Sequence, residues 1–255
     1  MIRVNRGPPA GGFEQRASQL QEKFTRARTK VPGLTAAQFW ASVRRDLRND
    51  ALELAVRFNL KCAYCESKMR HVMHPHVEHY RPKSQKRFGA LMFSWDNWLL
   101  SCGICNEEKW ADFPEQEGEP MLLDPASEDP RGHIGFRRNL IFASSKRGDE
   151  TIKLVRLWRR DLERERGFWL LQIDVLLLLA VNGQDPDVRR ESRNCLIWAM
   201  QDDAPYAAMT RDYLCEVCPA LAKPQVPHTT IAGIGVQERI YELVQRYSDD
   251  VLRFE

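Results

Sequence analysis

The chain has 255 residues, of which 43% are hydrophobic and 29% charged, with 38 basic against 35 acidic side chains. This length is sufficient for one large domain or two ordinary ones, each with a sizeable buried core. The composition is typical of a globular protein and excludes a disordered or collagen-like chain. Pro8 and Pro9 stand where a secretory signal would need an apolar run, so we expect no export signal and a cytoplasmic location.

The small net charge of +3 conceals a strong segregation of charge along the chain. Residues 1–50 carry 10 basic and 4 acidic side chains, and residues 61–90 carry 7 and 2. Residues 91–130 reverse this balance, with 1 basic and 10 acidic side chains. A protein that binds a polyanion needs a locally basic surface and not a high overall charge, although any single run also fits a solvated face.

The first elements in chain order are an arm and two helical regions. Turn-forming residues dominate residues 1–12 and predict an extended arm, and residues 13–28 predict a helix of mixed charge. Thr35 is a suitable N-cap for a second helical region over 35–60, where apolar residues recur at partly helical spacing. Residues 61–115 are instead rich in cysteine, histidine and turn residues.

The second half of the chain begins with a loop-rich segment and then becomes mostly helical. Residues 139–142 and 151–157 resemble two strands, which residues 146–149 would join into a hairpin. The most apolar run, residues 168–181, is too short to span a bilayer and predicts a buried helix. Helical periodicity predicts four helices, at residues 158–182, 187–201, 204–216 and 232–252.

Four of the seven cysteines form two Cys-x-x-Cys pairs, which are 36 residues apart. A two-residue gap in a tight turn lets both thiolates of a pair reach one ion, and two such pairs complete a tetrahedral sulfur shell that suits zinc. A closed shell leaves no open position, so this zinc would be structural. Four unrelated buried cysteines are the alternative. The predicted zinc ligands are Cys62, Cys65, Cys102 and Cys105.

Between and after these pairs lie residues suited to phosphodiester hydrolysis. Glu78 offers a hard oxygen ligand for a divalent ion, and Asn106 offers a second one that adds no charge. The adjacent His79 can accept a proton from water near neutral pH. Three cations can contact phosphate oxygens. They are Arg81, Lys83 and Lys109.

The order Cys-x-x-Cys, acidic-His, Asn-x-x-Leu-x-Cys-x-x-Cys-Asn-x-x-Lys resembles the zinc-knuckle form of the HNH endonuclease motif. The resemblance implies a ββα-metal finger around one catalytic Mg²⁺ or Mn²⁺. It implies that Glu78 and Asn106 hold the ion, that His79 is the general base, and that Asn97 orients the His79 loop by bonds to backbone. Glu78 stands in place of the usual Asp, and Asn106 in place of the usual final His.

Further segments resemble the PtuB-type HNH proteins, among them Cys-Ala-Tyr-Cys-Glu, Glu-His-Tyr-Arg-Pro-Lys-Ser and Trp-Asp-Asn-Trp-Leu-Leu-Ser-Cys. This resemblance implies a nuclease effector of a bacterial anti-phage system, such as Septu and certain retrons. It also implies an ABC/AAA-like ATPase partner of the PtuA type. The implied substrate is DNA, with RNA left open.

We therefore expect an α+β protein, in which an HNH finger with a four-cysteine zinc staple is flanked by mostly helical N- and C-terminal regions. Residues 1–60 would form the arm and first helices, and residues 61–125 the nuclease module. Residues 126–255 would form a hairpin and a helical region that offers a docking face for a partner. A non-catalytic zinc-stabilised module that binds nucleic acid or protein is the alternative function.

Overall fold

The computed structural model describes residues 1–69 and 75–218, and these form two compact units. The first unit comprises residues 4–63, 68–69 and 75–120, and the second comprises residues 1–3, 64–67 and 121–218. The helix predicted at 232–252 lies outside the described residues. Within the described part of the chain, no helix combines the length and the apolar character needed to cross a membrane.

Helices open the first unit, as the sequence predicts. Thr35 caps the second of them through a capping box with Gln38, in which each side chain bonds the other residue's backbone N–H. A 3-10 turn at Arg44–Leu47 divides the region expected to be one long helical stretch. The helices are α1, Phe13–Lys30; α2, Ala36–Val43; and α3, Arg48–Arg57.

A ββα element follows and confirms the predicted finger. Strand β1, His76–His79, pairs antiparallel with β2, Trp98–Ser101, so that His79 lies opposite Trp98. Helix α4, Gly103–Lys109, begins directly after β2 with Cys102 as its N-cap. A minor hairpin completes this unit, formed by β3, Glu115–Gln116, and β4, Glu119–Pro120.

Trp98 is the centre of the aromatic core that holds α1 and α2 against the ββα element. Its side chain is fully buried, and its ring lies 5.2 Å from Phe13 of α1 and 5.5 Å from Trp40 of α2, both edge-on. Edge-to-face aromatic pairs add about 0.5–1.5 kcal/mol each beyond the area that they bury. The helices before the finger are therefore part of its framework.

The hairpin of the second unit differs from the predicted one. Strand β5, Ile134–Arg137, pairs with β6, Leu140–Ala143, whereas residues Lys146–Leu154 form helix α5. The reason is local: the Ser145 side chain accepts a hydrogen bond from the Gly148 N–H at 3.1 Å and so caps a helix. Residues 146–149 are the first turn of this helix and not a hairpin loop.

Three predicted helices are present in the second unit, close to their expected bounds. They pack around a core that includes Leu170, Ile173, Leu196 and Leu214. The helices are α6, Arg160–Asn182; α7, Pro186–Ala199; and α8, Ala207–Val217.

The expectation of a fully buried α6 is wrong, because one face of this helix is exposed. Phe168, Leu171, Val175 and Leu178 recur at helical spacing and are between 53% and 62% exposed. We call these four residues the α6 stripe. The opposite face of the same helix supplies Leu170 and Ile173 to the core, so apolar residues occur on both sides.

Candidate active site and metal centre

The two Cys-x-x-Cys pairs meet in one buried cluster. The sulfur atoms of Cys62, Cys65, Cys102 and Cys105 all lie within 4.8 Å of one another, and none is in a disulfide. Zinc–thiolate bonds of about 2.3 Å place the sulfurs of a tetrahedral shell about 3.8 Å apart. The four-cysteine cluster therefore fits a structural zinc ion, with every ligand at most 2% exposed.

Backbone hydrogen bonds position the pairs around β2. The Ala63 N–H, inside the first pair, donates to the Leu100 carbonyl at 2.8 Å. In the second pair, the Cys102 sulfur accepts a bond of 3.4 Å from the Cys105 N–H at the start of α4. Backbone donors and a helix N-terminus both favour the thiolate form that a metal requires.

Glu78 lies on the face of β1 that meets α4, and its partner there is Lys109. The Glu78 carboxylate and the Lys109 ammonium are 2.6 Å apart, and Lys109 also donates to the His79 carbonyl at 3.0 Å. Both charged groups are buried. A buried pair of this kind is held only because each charge offsets the desolvation of the other.

Asn106 occupies the same β1–α4 contact, one helical turn before Lys109. Its Nδ2 lies 3.3 Å from Nδ1 of His76, which is two residues before Glu78 and therefore on the same strand face. The pairs His76–Asn106 and Glu78–Lys109 are thus adjacent contacts along one strand–helix interface. The two predicted oxygen ligands thus lie on the same strand–helix interface, and it is the amide nitrogen of Asn106 that contacts His76.

His76 lies beside a predicted site residue, although the sequence favours a solvated loop position for it over a spare ligand or a phosphate contact. The histidines His71, His74 and His76 precede the motif in a proline-containing stretch, which favours solvated loop positions. The first two lie outside the described residues, but His76 begins β1 and is half-buried against Asn106. Its spacing of two from Glu78 is the signal that could have identified it, because alternate residues of a strand share a face.

His79 lies on the opposite face of β1, in an aromatic environment. Its ring is 4.7 Å from that of Trp40 and its Nε2 is 2.9 Å from the Met92 carbonyl. Because a carbonyl can only accept, Nε2 carries the proton and Nδ1 carries the lone pair. The Lys83 ammonium is 3.4 Å from that Nδ1. The unprotonated nitrogen is therefore adjacent to a cation.

Burial shifts the pKa values of Glu78, His79 and Lys83. It raises the pKa of Glu78 above its usual range, against the opposing effect of the Lys109 charge. It lowers the pKa of His79 well below its usual value, and the Lys83 charge lowers it further. It also lowers the pKa of Lys83, which the charge of Glu78 counteracts. His79 is consequently a neutral imidazole at pH 7, the form that a general base requires.

Asn97 fixes the segment that follows β1 through bonds to its backbone, including that of Arg81. Its Oδ1 accepts from the Arg81 N–H at 2.8 Å, and its Nδ2 donates to the carbonyls of Arg81 and Leu91 at 3.0 and 3.1 Å. Three backbone bonds from one buried amide hold Arg81 and Leu91, at the two ends of the loop that precedes Asn97, in a single geometry.

The three cations expected to contact phosphate differ in their placement. Lys83 lies beside His79, and the Arg81 guanidinium lies 5.7 Å from the ring of Phe113, with both cationic side chains half-buried. Lys109 is fully buried on Glu78, a position that does not favour the predicted contact with phosphate. Its position at the end of α4 turns it inward, where it acts as an internal counterion.

Residues 62–111 match the family model of HNH endonucleases. The match covers the zinc cluster and the whole ββα element with Glu78, His79, Asn97 and Asn106. The chain therefore carries an HNH endonuclease domain.

The chain is also similar to a particular curated protein, the Septu protein PtuB from Bacillus mycoides (strain KBAB4). The two are 29% identical over 259 residues, which cover 80% of this chain and 84% of the relative. The similarity to PtuB covers 80% of the chain, whereas the HNH match covers only residues 62–111, so the similarity includes regions outside the HNH domain.

Proposed function

We propose that this protein is a metal-dependent endonuclease that hydrolyses phosphodiester bonds of nucleic acid, with DNA as the expected substrate and RNA as the alternative. The observation that carries the proposal is the fixed tautomer of His79. The Met92 carbonyl holds the proton on Nε2, so that Nδ1 is a neutral base beside the Lys83 ammonium. A zinc staple does not require that arrangement, and a packed imidazole would require only the bond to Met92 and not the Lys83 ammonium at Nδ1.

The proposed reaction divides its work among several side chains. Nδ1 of His79 accepts the proton of the attacking water, and Lys83 holds a phosphate oxygen beside that atom. Glu78 and Asn106, on the other face of β1 from His79, would hold the Mg²⁺ or Mn²⁺ ion, which when bound stabilises charge on the phosphate and on the leaving 3′ oxygen. The charge of Lys83 acts on both Glu78 and His79, so we place the phosphate at Lys83, where the two groups share a cation. Lys109 keeps the Glu78 carboxylate aligned at the β1–α4 contact.

The alternative, a non-catalytic zinc-stabilised binding module, is favoured by one observation. His79 is only 2% exposed, whereas a general base must reach a water molecule. Lys83, beside His79, and Asn106, at the β1–α4 contact, are half-buried and partly open to solvent. A substrate would therefore reach the site past these two side chains. The two functions differ in one measurable result. Only a nuclease cleaves nucleic acid when a divalent ion is present.

We expect the purified chain, alone or with its ATPase partner, to nick supercoiled plasmid when Mg²⁺ or Mn²⁺ is present. EDTA added just before the reaction should stop cleavage, since Glu78 and Asn106 supply only two ligands and hold the ion weakly. The zinc of the four-cysteine shell should remain bound over that time, and metal analysis of the recovered protein checks this. Binding of plasmid without nicking under every metal condition would favour the non-catalytic module.

We also propose that the protein acts in the cytoplasm as the nuclease of a Septu-type anti-phage system with an ABC/AAA-like ATPase of the PtuA type. The support is the similarity to PtuB over most of the chain. The region after the HNH domain, residues 126–218 of the described part, would dock the ATPase. Its α6 stripe provides an apolar face whose exposed side chains suit a protein contact.

Replacing Leu171 and Leu178 by glutamate should weaken binding of the ATPase at least tenfold, because each change puts a charge into the apolar contact. The measurement is co-purification and titration of the co-expressed pair encoded by adjacent genes. The matched control is Val31→Glu, since Val31 is similarly exposed at 55% but lies in the other unit. Equal binding by the stripe variant and the control would contradict this docking face.

A further inference from the structure

A groove of about 370 Å³ lies in the first unit, between α1 and the segment that follows the catalytic strand. One wall is the outer face of α1 and the other is the 3-10 turn Lys86–Leu91. Polar side chains and cations dominate its lining. Those used in the argument below are Gln21, Thr25, Arg28, Thr29 and Lys86.

The charge of this groove is positive on both walls. None of its eight lining residues is acidic, and Arg28 and Lys86 form no ion pair with another described residue. Helix α1 carries five basic and two acidic side chains, and residues 81–87 carry four basic and no acidic ones. Two exposed cations on opposite walls of a groove, with no anionic partner among the described residues, attract an anion from solution.

The rest of the lining offers hydrogen-bonding groups and open space. The hydroxyls of Thr25 and Thr29 donate to the carbonyls of Gln21 and Thr25 at 3.0 and 3.1 Å. Gln21 Oε1 is a buried acceptor without a hydrogen-bond partner among the described residues, so the donors for an anion are the two cations. At Gly89 an added Cβ would meet nothing within 4 Å, so the opposite wall is open at that point. A polar ligand could therefore contact both walls at once.

The groove is rigidly connected to the catalytic residues. Its second wall runs directly into Leu91 and Met92, whose carbonyls accept bonds from Asn97 and His79. Its first wall is anchored by Phe24, whose ring is 5.0 Å from that of Phe39. The same backbone segment thus borders the groove and fixes the general base.

We propose that this groove binds the phosphodiester backbone of the nucleic acid on one side of the scissile bond, with Arg28 and Lys86 as its phosphate contacts. The inference rests on the proposed nuclease function and names the surface that holds the substrate outside the HNH motif. Helix α1 is then a substrate-binding element as well as a part of the framework. Contacts of this type position the substrate and carry no sequence information.

The test compares Arg28→Ala/Lys86→Ala with Lys23→Ala/Arg45→Ala, a control that removes the same charge from exposed positions of the same unit outside the groove. Binding is measured in a His79→Gln background, which prevents cleavage, over a series of salt concentrations. The probes are short fluorescent duplex DNA, single-stranded DNA and RNA of one sequence. Their comparison identifies which nucleic acid supplies the backbone.

We expect the groove variant to bind about tenfold or more weakly at moderate salt, and its plot of log K against log salt to flatten by roughly 1.8, about 0.9 for each cation that no longer neutralises a phosphate. The control should change neither value to that extent. With His79 intact, the groove variant should need more substrate for half-maximal cleavage but reach the parent's maximal rate.

Failure of this inference is distinguishable from failure of the nuclease proposal. If the parent cuts nucleic acid and the groove variant binds and cuts like the control, the groove proposal is overturned and the nuclease stands. If the parent binds but never cuts, and the groove variant loses affinity, the groove proposal stands and the nuclease does not. A parent that neither binds nor cuts overturns both.

Discussion

Replacing His79 by glutamine is expected to lower the rate of metal-dependent cleavage by about 10²–10⁴-fold, the usual contribution of a general base. Glutamine can still donate from its amide nitrogen to the Met92 carbonyl, which preserves the bond that His79 makes there. It has no basic nitrogen in place of Nδ1. Alanine would be a poorer test, because it also removes a buried ring packed on Trp40.

The measurement is single-turnover cleavage at saturating protein, combined with thermal unfolding and zinc content. The control is His133→Gln, a half-buried histidine of the other unit whose Nδ1 contacts Ser145. We expect His133→Gln to cleave at the parent rate. Both His133→Gln and His79→Gln should unfold at a temperature near that of the parent. Cleavage by His79→Gln within a factor of about three of the parent would remove His79 from the mechanism.

The direction of the pKa shift of His79 adds a signature in pH. Burial and the Lys83 charge lower the pKa of His79 well below 6.5, and the protonated ring cannot act as a base. The cleavage rate should therefore stay level as pH falls from 8 toward 6.5, and decline only at lower pH. An acidic limb with its midpoint above pH 6.5 would contradict the lowered pKa that burial and the Lys83 charge give His79.

The sequence was most informative where function depends on short spacings. The two cysteine pairs, the strand–strand–helix order and the backbone bonds of Asn97 all involve residues close in sequence or joined by one hairpin. The cap of Ser145 on Gly148 is also local, but two β-prone segments around it favoured a hairpin instead. The apolar residues on either side of residues 145–148 do not show whether those residues form a hairpin turn or the first turn of a helix.

The sequence was least informative about which way a side chain points. Glu78 and His79 are adjacent, but the alternation of β1 directs them to opposite faces. Lys109 looks like an exposed cation at the end of a helix, and only packing of α4 on β1 turns it inward onto Glu78. Apolar periodicity likewise predicted burial of α6, although a helix with apolar residues on both faces can bury just one of them.

Loss of the zinc ligand Cys102 is expected to have the largest effect on stability. Cys102→Ser should release the metal and lower the free energy of unfolding by on the order of 4 kcal/mol, which is typical when a structural metal is lost. For a chain of this size this corresponds to a fall in Tm of about 10 °C. Cys102 is both a cluster sulfur and the N-cap of α4, so the serine hydroxyl can retain the cap but not the shell.

The matched control is Cys195→Ser, which changes an exposed cysteine of α7 outside the cluster. We expect about one zinc per chain in the parent and in this control, and an unfolding temperature within about 2 °C of the parent for the control, as for most exposed substitutions. Atomic emission and thermal unfolding give the two quantities. If Cys102→Ser keeps its zinc, Cys102 is not a required ligand. If the parent binds none, the four sulfurs are a packed cluster and not a metal centre. In that case the rigidity of the β1–α4 contact must come from the Glu78–Lys109 pair and the aromatic core around Trp98.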